Sequence, residues 1–148
     1  MHEARVFRAR FAHLRSILAI ERASFGDDAY TAGMFRELFE NCGDLFFVAK
    51  RSGRVAGYMV TCVARGRAEI VSIAVEPGRR KSGIGRVLMK HTLSALKKCR
   101  VRKLTLMVRL TNIDAIRFYR RFGFIRSRTV ARYYEDGAAA WRMQRTVR

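Results

Sequence analysis

Residues 69–96 read EIVSIAVEPGRRKSGIGRVLMKHTLSAL, and the fold turns on this stretch. The run Ala68 to Val75 has the length and β-branched content of a strand, and Glu76-Pro77-Gly78 stops it, because proline cannot donate to a ladder. From Gly83 to about Cys99 the apolar residues Ile84, Val87, Leu88, Ala95 and Leu96 recur at helical intervals, which predicts a long helix packed on a sheet. Between strand and helix Arg79, Arg80 and Lys81 crowd beside Gly83 and Gly85, where their mutual repulsion costs stability unless an anion sits there. Strand, glycine-punctuated basic loop and helix together make an anion site. The first N–H groups of a helix lack intrahelical partners, its dipole adds roughly half a positive charge, and glycine lets a ligand approach the backbone. The GxxxxGKS/T loop is absent and GxGxxG fails at Leu88, which argues against a nucleotide triphosphatase or a dinucleotide oxidoreductase.

Working outward, alternation over Arg5 to Phe11 predicts a first strand, and helical spacing runs from Leu14 to Phe25. A loop at Gly26-Asp27-Asp28 follows, then a second helix from an N-cap at Thr31 to about Asn41. Strands are expected at Leu45–Lys50 and Arg54–Val63, with turns at 51–53 and 65–67. Downstream come a strand at Lys103–Arg109, a helix at Asn112–Arg121, and two strands, Ile125–Tyr134 and Ala139–Val147, around a turn at Glu135-Asp136-Gly137. The expected architecture is one α+β domain over residues 1–148 with a central sheet, its order written as βααββββαβαββ.

The composition narrows the class. A chain of 148 residues, 49% hydrophobic with one proline, is long enough for one cored domain and is not a disordered tail. No apolar run approaches the roughly 18 residues of a membrane span, and the N-terminus lacks a signal-peptide centre, so a soluble cytoplasmic protein is expected. Three cysteines, Cys42, Cys62 and Cys99, form no CxxC pair and lie far from the histidines, so neither a disulfide framework nor a metal site is expected. The net charge is +19, concentrated downstream: residues 79–99 hold 7 basic and no acidic residues, and 100–148 hold 13 and 3. A field of that sign concentrates polyanions, so nucleic acid or the ribosome is a second partner class beside a phosphorylated cosubstrate.

The segment from Glu69 to Gly85 closely resembles the acetyl-CoA motif of the GNAT acetyltransferases: Arg80-Lys81-Ser82-Gly83-Ile84-Gly85 matches the R/QxxGxG/A pattern after the fourth strand. A second signature of that superfamily, NxxAxxxYxxxGF, is matched by Asn112, Ala115, Tyr119, Gly123 and Phe124. The element order agrees over essentially the whole chain. The resemblance implies a GNAT-like fold, a mainly antiparallel seven-stranded mixed sheet flanked by about four helices. Within the superfamily the chain is most similar to protein N-terminal acetyltransferases, particularly the bacterial ribosomal-protein alanine enzymes.

That resemblance further implies direct transfer of acetyl from acetyl-CoA, as cosubstrate, to an amine. The pyrophosphate would sit on Arg80, Lys81, Ser82, Gly83, Ile84, Gly85 and Arg86, with the main chain of Ile73, Ala74 and Val75, and Asn112, on the pantetheine. Tyr119 takes the place of the tyrosine that protonates the departing thiolate, and Glu69 that of the glutamate base in histone-type members. The base position of the ribosomal-protein enzymes holds Met107, which cannot accept a proton. Phe25, Tyr30, Tyr133 and Tyr134 are candidates to line the acceptor groove. The groove's expected borders are acidic, with Asp27, Asp28, Glu37, Glu40 and Asp44 on one side and Glu135 and Asp136 on the other, which favours a cationic acceptor. At pH 7 a peptide α-amine costs about 1.4 kcal/mol to deprotonate and a lysine about 4.6 kcal/mol, so the α-amine of a protein is the easier substrate. The alternatives are a small amine or antibiotic as acceptor, or an inactive module of this fold that binds RNA or the ribosome. The oligomeric state is left open.

Overall fold

The computed structural model describes residues 3–148. Its strands are β1 (Arg5–Arg8), β2 (Phe46–Arg51), β3 (Arg54–Ala64), β4 (Arg67–Val75), β5 (Lys103–Arg109), β6 (Ile125–Val130) and β7 (Ala140–Thr146). Its α-helices are α1 (Leu14–Phe25), α2 (Ala32–Cys42), α3 (Ile84–Lys98) and α4 (Ile113–Arg121). The strands form one seven-stranded sheet in the order β1-β2-β3-β4-β5-β7-β6, antiparallel throughout except where β5 runs parallel to β4. This is the expected mixed α+β fold. Three strands, rather than the four in the order written from sequence, separate α2 from α3, because the turns at 51–53 and 65–67 divide that segment only twice.

Both faces of the sheet are covered, and the alternation of β2 shows how. Phe46 and Val48 join Ile17, Ile20, Phe35 and Tyr58 under α1 and α2. Phe47 and Ala49 join Leu88, Leu96, Leu104 and Ile116 under α3 and α4. Thr31 caps α2 as its position suggested, accepting from the Met34 N–H at 3.2 Å.

Two expectations change. Cys42 and Cys62 are joined in a disulfide, which ties the last turn of α2 to β3, and Cys99 is free and exposed. The pairing is a consequence of α2 packing on β3, a contact between residues 20 apart that no local pattern displays. The strand expected to run to Tyr134 ends at Val130. Arg132 adopts φ +52°, and Asp136 accepts from the Ala138 N–H at 3.0 Å, a local turn bond that competes with the ladder. That turn frees both tyrosines from the sheet.

Candidate active site

The site begins with a defect in β4. Val60 pairs with Ser72 while Thr61 pairs with Ile70, so Val71 is the extra residue of a bulge. Pairing with β5 stops just before it, being confined to Arg67–Glu69 opposite Lys103–Thr105. Past that point the two parallel strands part, and the peptide groups of Ile73 and Val75, which alternation turns toward β5, have no ladder partner, whereas those of Ala74 turn to Tyr58 of β3. Such groups need other partners, and an extended, amide-bearing ligand arm would provide them.

At the far end of this slot lies the basic loop. Gly83 caps α3 in the left-handed region, φ +87°, and Lys81 also has a positive φ of 64°, which turns the chain so that the first N–H groups of α3 face outward. Arg51 donates to the Ser82 carbonyl at 3.1 Å and thereby fixes the loop. Lys81, Ser82 and Arg86 are exposed, whereas Ile84 is buried and can offer only its backbone. Arg80 is committed elsewhere: it donates to the Val75 carbonyl and, at 3.0 Å, to the Ser24 hydroxyl on α1. Gly85 has a packing reason as well, since a Cβ there would stand 3.2 Å from the Phe118 ring of α4. Asn112 caps α4 through its side-chain oxygen, accepting from the Ala115 N–H at 3.2 Å.

Tyr119 projects from α4 into the core on the α3–α4 side of the sheet, 8% exposed, between the rings of Phe118 and Phe124. Burial, and then the neighbouring Tyr134, hold its phenol far above the ordinary tyrosine value, so it stays protonated. Glu69 stands on the opposite sheet face, exposed, across from Cys62, and makes no ion pair among the described residues. It lies near Tyr30 and Tyr133, whose phenols are pushed up mainly by burial, with Glu69 adding to the shift of each. Alternation along β5 places Thr105, Met107 and Arg109 on this same face, away from the α3 side where Leu104, Leu106 and Val108 are buried.

Arg109 is the strongest polar link at the site. Its side chain is 26% exposed and bonds Asp28 of the α1–α2 connection at 2.5 and 3.0 Å and Asp136 of the β6–β7 turn at 3.0 Å. Its guanidinium lies 4.2 Å from the Tyr134 ring centroid. Hydrogen bonding from the Ala138 N–H, then from Arg109, draws the Asp136 carboxyl below its usual range. Burial pushes the Tyr134 phenol up to about 12. Phe25, Asp27, Asp28, Arg109, Glu135 and Asp136 line a cavity of about 430 Å³. Asp27 and Asp28 thus meet Glu135 and Asp136, but the rest of the expected border does not join them: Glu37 and Glu40 are exposed on α2 outside the cavity lining, and Asp44 pairs with Arg8 near β1.

Sequence reasoning missed two residues here. Arg109 is one of 31 basic residues, and nothing local in the sequence marks it. Glu21 is 1% exposed on α1; it accepts from the Tyr30 N–H and the Ser72 hydroxyl, each at 2.9 Å, and from the Tyr58 phenol. Its signal was a carboxylate at a core position of the α1 apolar stripe. Through it the α1–α2 connection is anchored to the bulged strand.

The Acetyltransferase (GNAT) family pattern matches residues 13–124. The N-alpha-acetyltransferase of Sulfolobus acidocaldarius is 31% identical over 91% of this chain and 88% of its own length. The [ribosomal protein bS18]-alanine N-acetyltransferase of Escherichia coli is 34% identical over 61% of each chain. Among solved structures, Ard1 from Thermoplasma volcanium superposes with a TM-score of 0.94 at 28% identity, covering 98% of both chains. With the slot, the basic loop and the buried tyrosine in place, the chain belongs to the acetyltransferase (GNAT) family and is an N-acetyltransferase.

Proposed function

We propose that this protein transfers acetyl from acetyl-CoA to the N-terminal α-amine of a protein. The observation that carries the reading is the parting of β4 from β5 between a free-ended helix N-terminus and an acidic cavity, which supplies one place for each substrate. The backbone N–H groups of Gly83, Ile84, Gly85 and Arg86, with Lys81 and Ser82, would hold the pyrophosphate, and Ile73, Val75 and Asn112 the pantetheine, with Ala74 holding the strand to β3 between them. Arg80 would act by stiffening the loop against α1. Tyr30, Tyr133, Tyr134 and Phe25 would enclose the acceptor's first residue, with Asp27 and Glu135 drawing in its ammonium.

In the proposed reaction the neutral amine attacks the thioester carbonyl, the new C–N bond forms, and the C–S bond breaks to leave the thiolate. Glu69, directly or through water, takes the proton that the amine loses. Tyr119 donates a hydrogen bond to the sulfur as charge develops and supplies its proton. Met107 leaves the β5 position without a base, so Glu69 carries that role alone. The acidic cavity also suits a small cationic amine, and a peptide series separates the two readings.

No helix among the described residues is long and apolar enough to cross a membrane. A cytoplasmic setting is proposed with one condition attached: glutathione and thioredoxin would open the Cys42–Cys62 bond in a mesophile, whereas hyperthermophile cytosol preserves such bonds. Calorimetric titration with acetyl-CoA, followed by thioester consumption with an alanine-starting peptide, tests the proposal. Saturable binding and turnover are expected; absence of binding would remove both enzyme readings.

A further inference from the structure

Ion pairing engages few of the 25 arginines: among the described residues only Arg8, Arg54, Arg79 and Arg109 pair with carboxylates. A cluster of unpaired ones lies at the opposite end of the sheet from β1. Arg117, Arg120 and Arg121 are exposed on α4 at neighbouring helical positions. Arg126 is exposed on β6, the outermost strand. β7 presents Trp141 to both elements, with the guanidinium carbons of Arg120 and Arg126 at 5.5 and 5.1 Å from its ring centroid. The cluster is distinct from the pyrophosphate loop, because the α4 residue that reaches α3 is Phe118, packed at Gly85, whereas Arg120 reaches the other way to β7.

Two ordinary explanations cover part of this. A helix dipole favours cations such as Arg120 and Arg121 in the last turn, and charge on an edge strand blocks strand-to-strand association. Neither explains Arg117, which lies a turn earlier and makes no ion pair with Asp114 of the same helix, nor why two guanidiniums gather at one indole. The planar arginine fork binds phosphate oxygens in pairs and stacks on rings, which lysine does not do. An acidic peptide would satisfy the charges but offer no planar face to the guanidiniums gathered at Trp141. A single nucleic-acid strand offers phosphates and base faces together.

We propose that Arg117, Arg120, Arg121 and Arg126, arranged around Trp141, form a docking surface for single-stranded nucleic acid. The inference is independent of the acetyl acceptor. Trp141 is the chain's one tryptophan, so its emission reports on this surface alone. The test titrates the full chain with an oligouridylate and an oligodeoxythymidylate of about 20 nucleotides, and with inorganic polyphosphate, following anisotropy and Trp141 emission. Binding of a strand with a change in Trp141 emission is expected, with a log–log salt slope of about −3 for four contacts. Arg120→Ala with Arg126→Ala should weaken it at least tenfold and flatten the slope by about 1.4, with acetyl-CoA affinity unchanged as evidence of an intact fold. Arg120→Lys with Arg126→Lys should keep most of the salt slope and lose the emission change. A tighter complex with either oligonucleotide identifies RNA or DNA as the source. Failure of both strands to bind at about 0.1 M salt would overturn the proposal. So would polyphosphate binding equally well with the same sensitivity to substitution and no response from Trp141.

Discussion

Tyr119 and Glu69 divide the proposed proton chemistry, and their environments differ as the roles require. The phenol is buried and held protonated, whereas the carboxylate is exposed and without an arginine partner. Tyr119→Phe should lower kcat at least tenfold with acetyl-CoA affinity within about twofold, because it removes a proton donor and keeps the ring. Glu69→Gln should likewise lower kcat, and an unchanged kcat in stopped assays with either variant would remove that residue from the reaction. Arg109 acts through others. Arg109→Ala frees both the α1–α2 connection and the β6–β7 turn, so KM for the peptide should rise several-fold while KM for acetyl-CoA holds; a rise for both substrates would place Arg109 outside the acceptor groove. The motif residues were legible because glycines and a tyrosine at fixed spacing have few other uses. Arg109 and Glu21 were not, since their meaning lies in partners 81 and 9 to 51 positions away in sequence.

At the scale of elements, strands and helices were legible wherever periodicity and turn chemistry agreed, as along α3 and through the hairpin of β2 and β3. β6 shows the limit. Tyr133 and Tyr134 have strand propensity, yet a positive φ at Arg132 and the Asp136–Ala138 turn bond remove them from the sheet. The β4 bulge was equally hidden, because an extra residue in a ladder depends on the partner strand. The disulfide between α2 and β3 closes a loop of 20 residues, for which chain entropy gives about 3 kcal/mol. Cys42→Ser with Cys62→Ser should therefore lower unfolding free energy by about that amount in denaturant titrations. An unchanged midpoint would mean that the bond constrains nothing beyond what α2 packing already fixes.

Across the whole molecule the charge is uneven: the 79–86 loop and the sheet edge beside α4 are basic, and the cavity between the α1–α2 connection and the β6–β7 turn is acidic. In the proposed reaction that polarity would sort an anionic donor from a cationic acceptor before any contact is made. It also sets the pH response. The fraction of neutral α-amine grows with pH up to its pKa near 8, so kcat/KM should rise about tenfold per unit below that point and then level. Tyr119 and Tyr134 lie above the ordinary tyrosine value of about 10, so both phenols keep their protons and no alkaline decline should appear before that pH. A fall beginning near pH 9 would show that a different acid serves the sulfur. Transfer to an α-amine rather than to a lysine is read directly by tandem mass spectrometry of an alanine-starting peptide that also carries an internal lysine, after incubation with the protein and acetyl-CoA. Acetyl on the terminal amine alone is expected, and acetyl on the lysine with a free terminus would rule out the α-amine as acceptor.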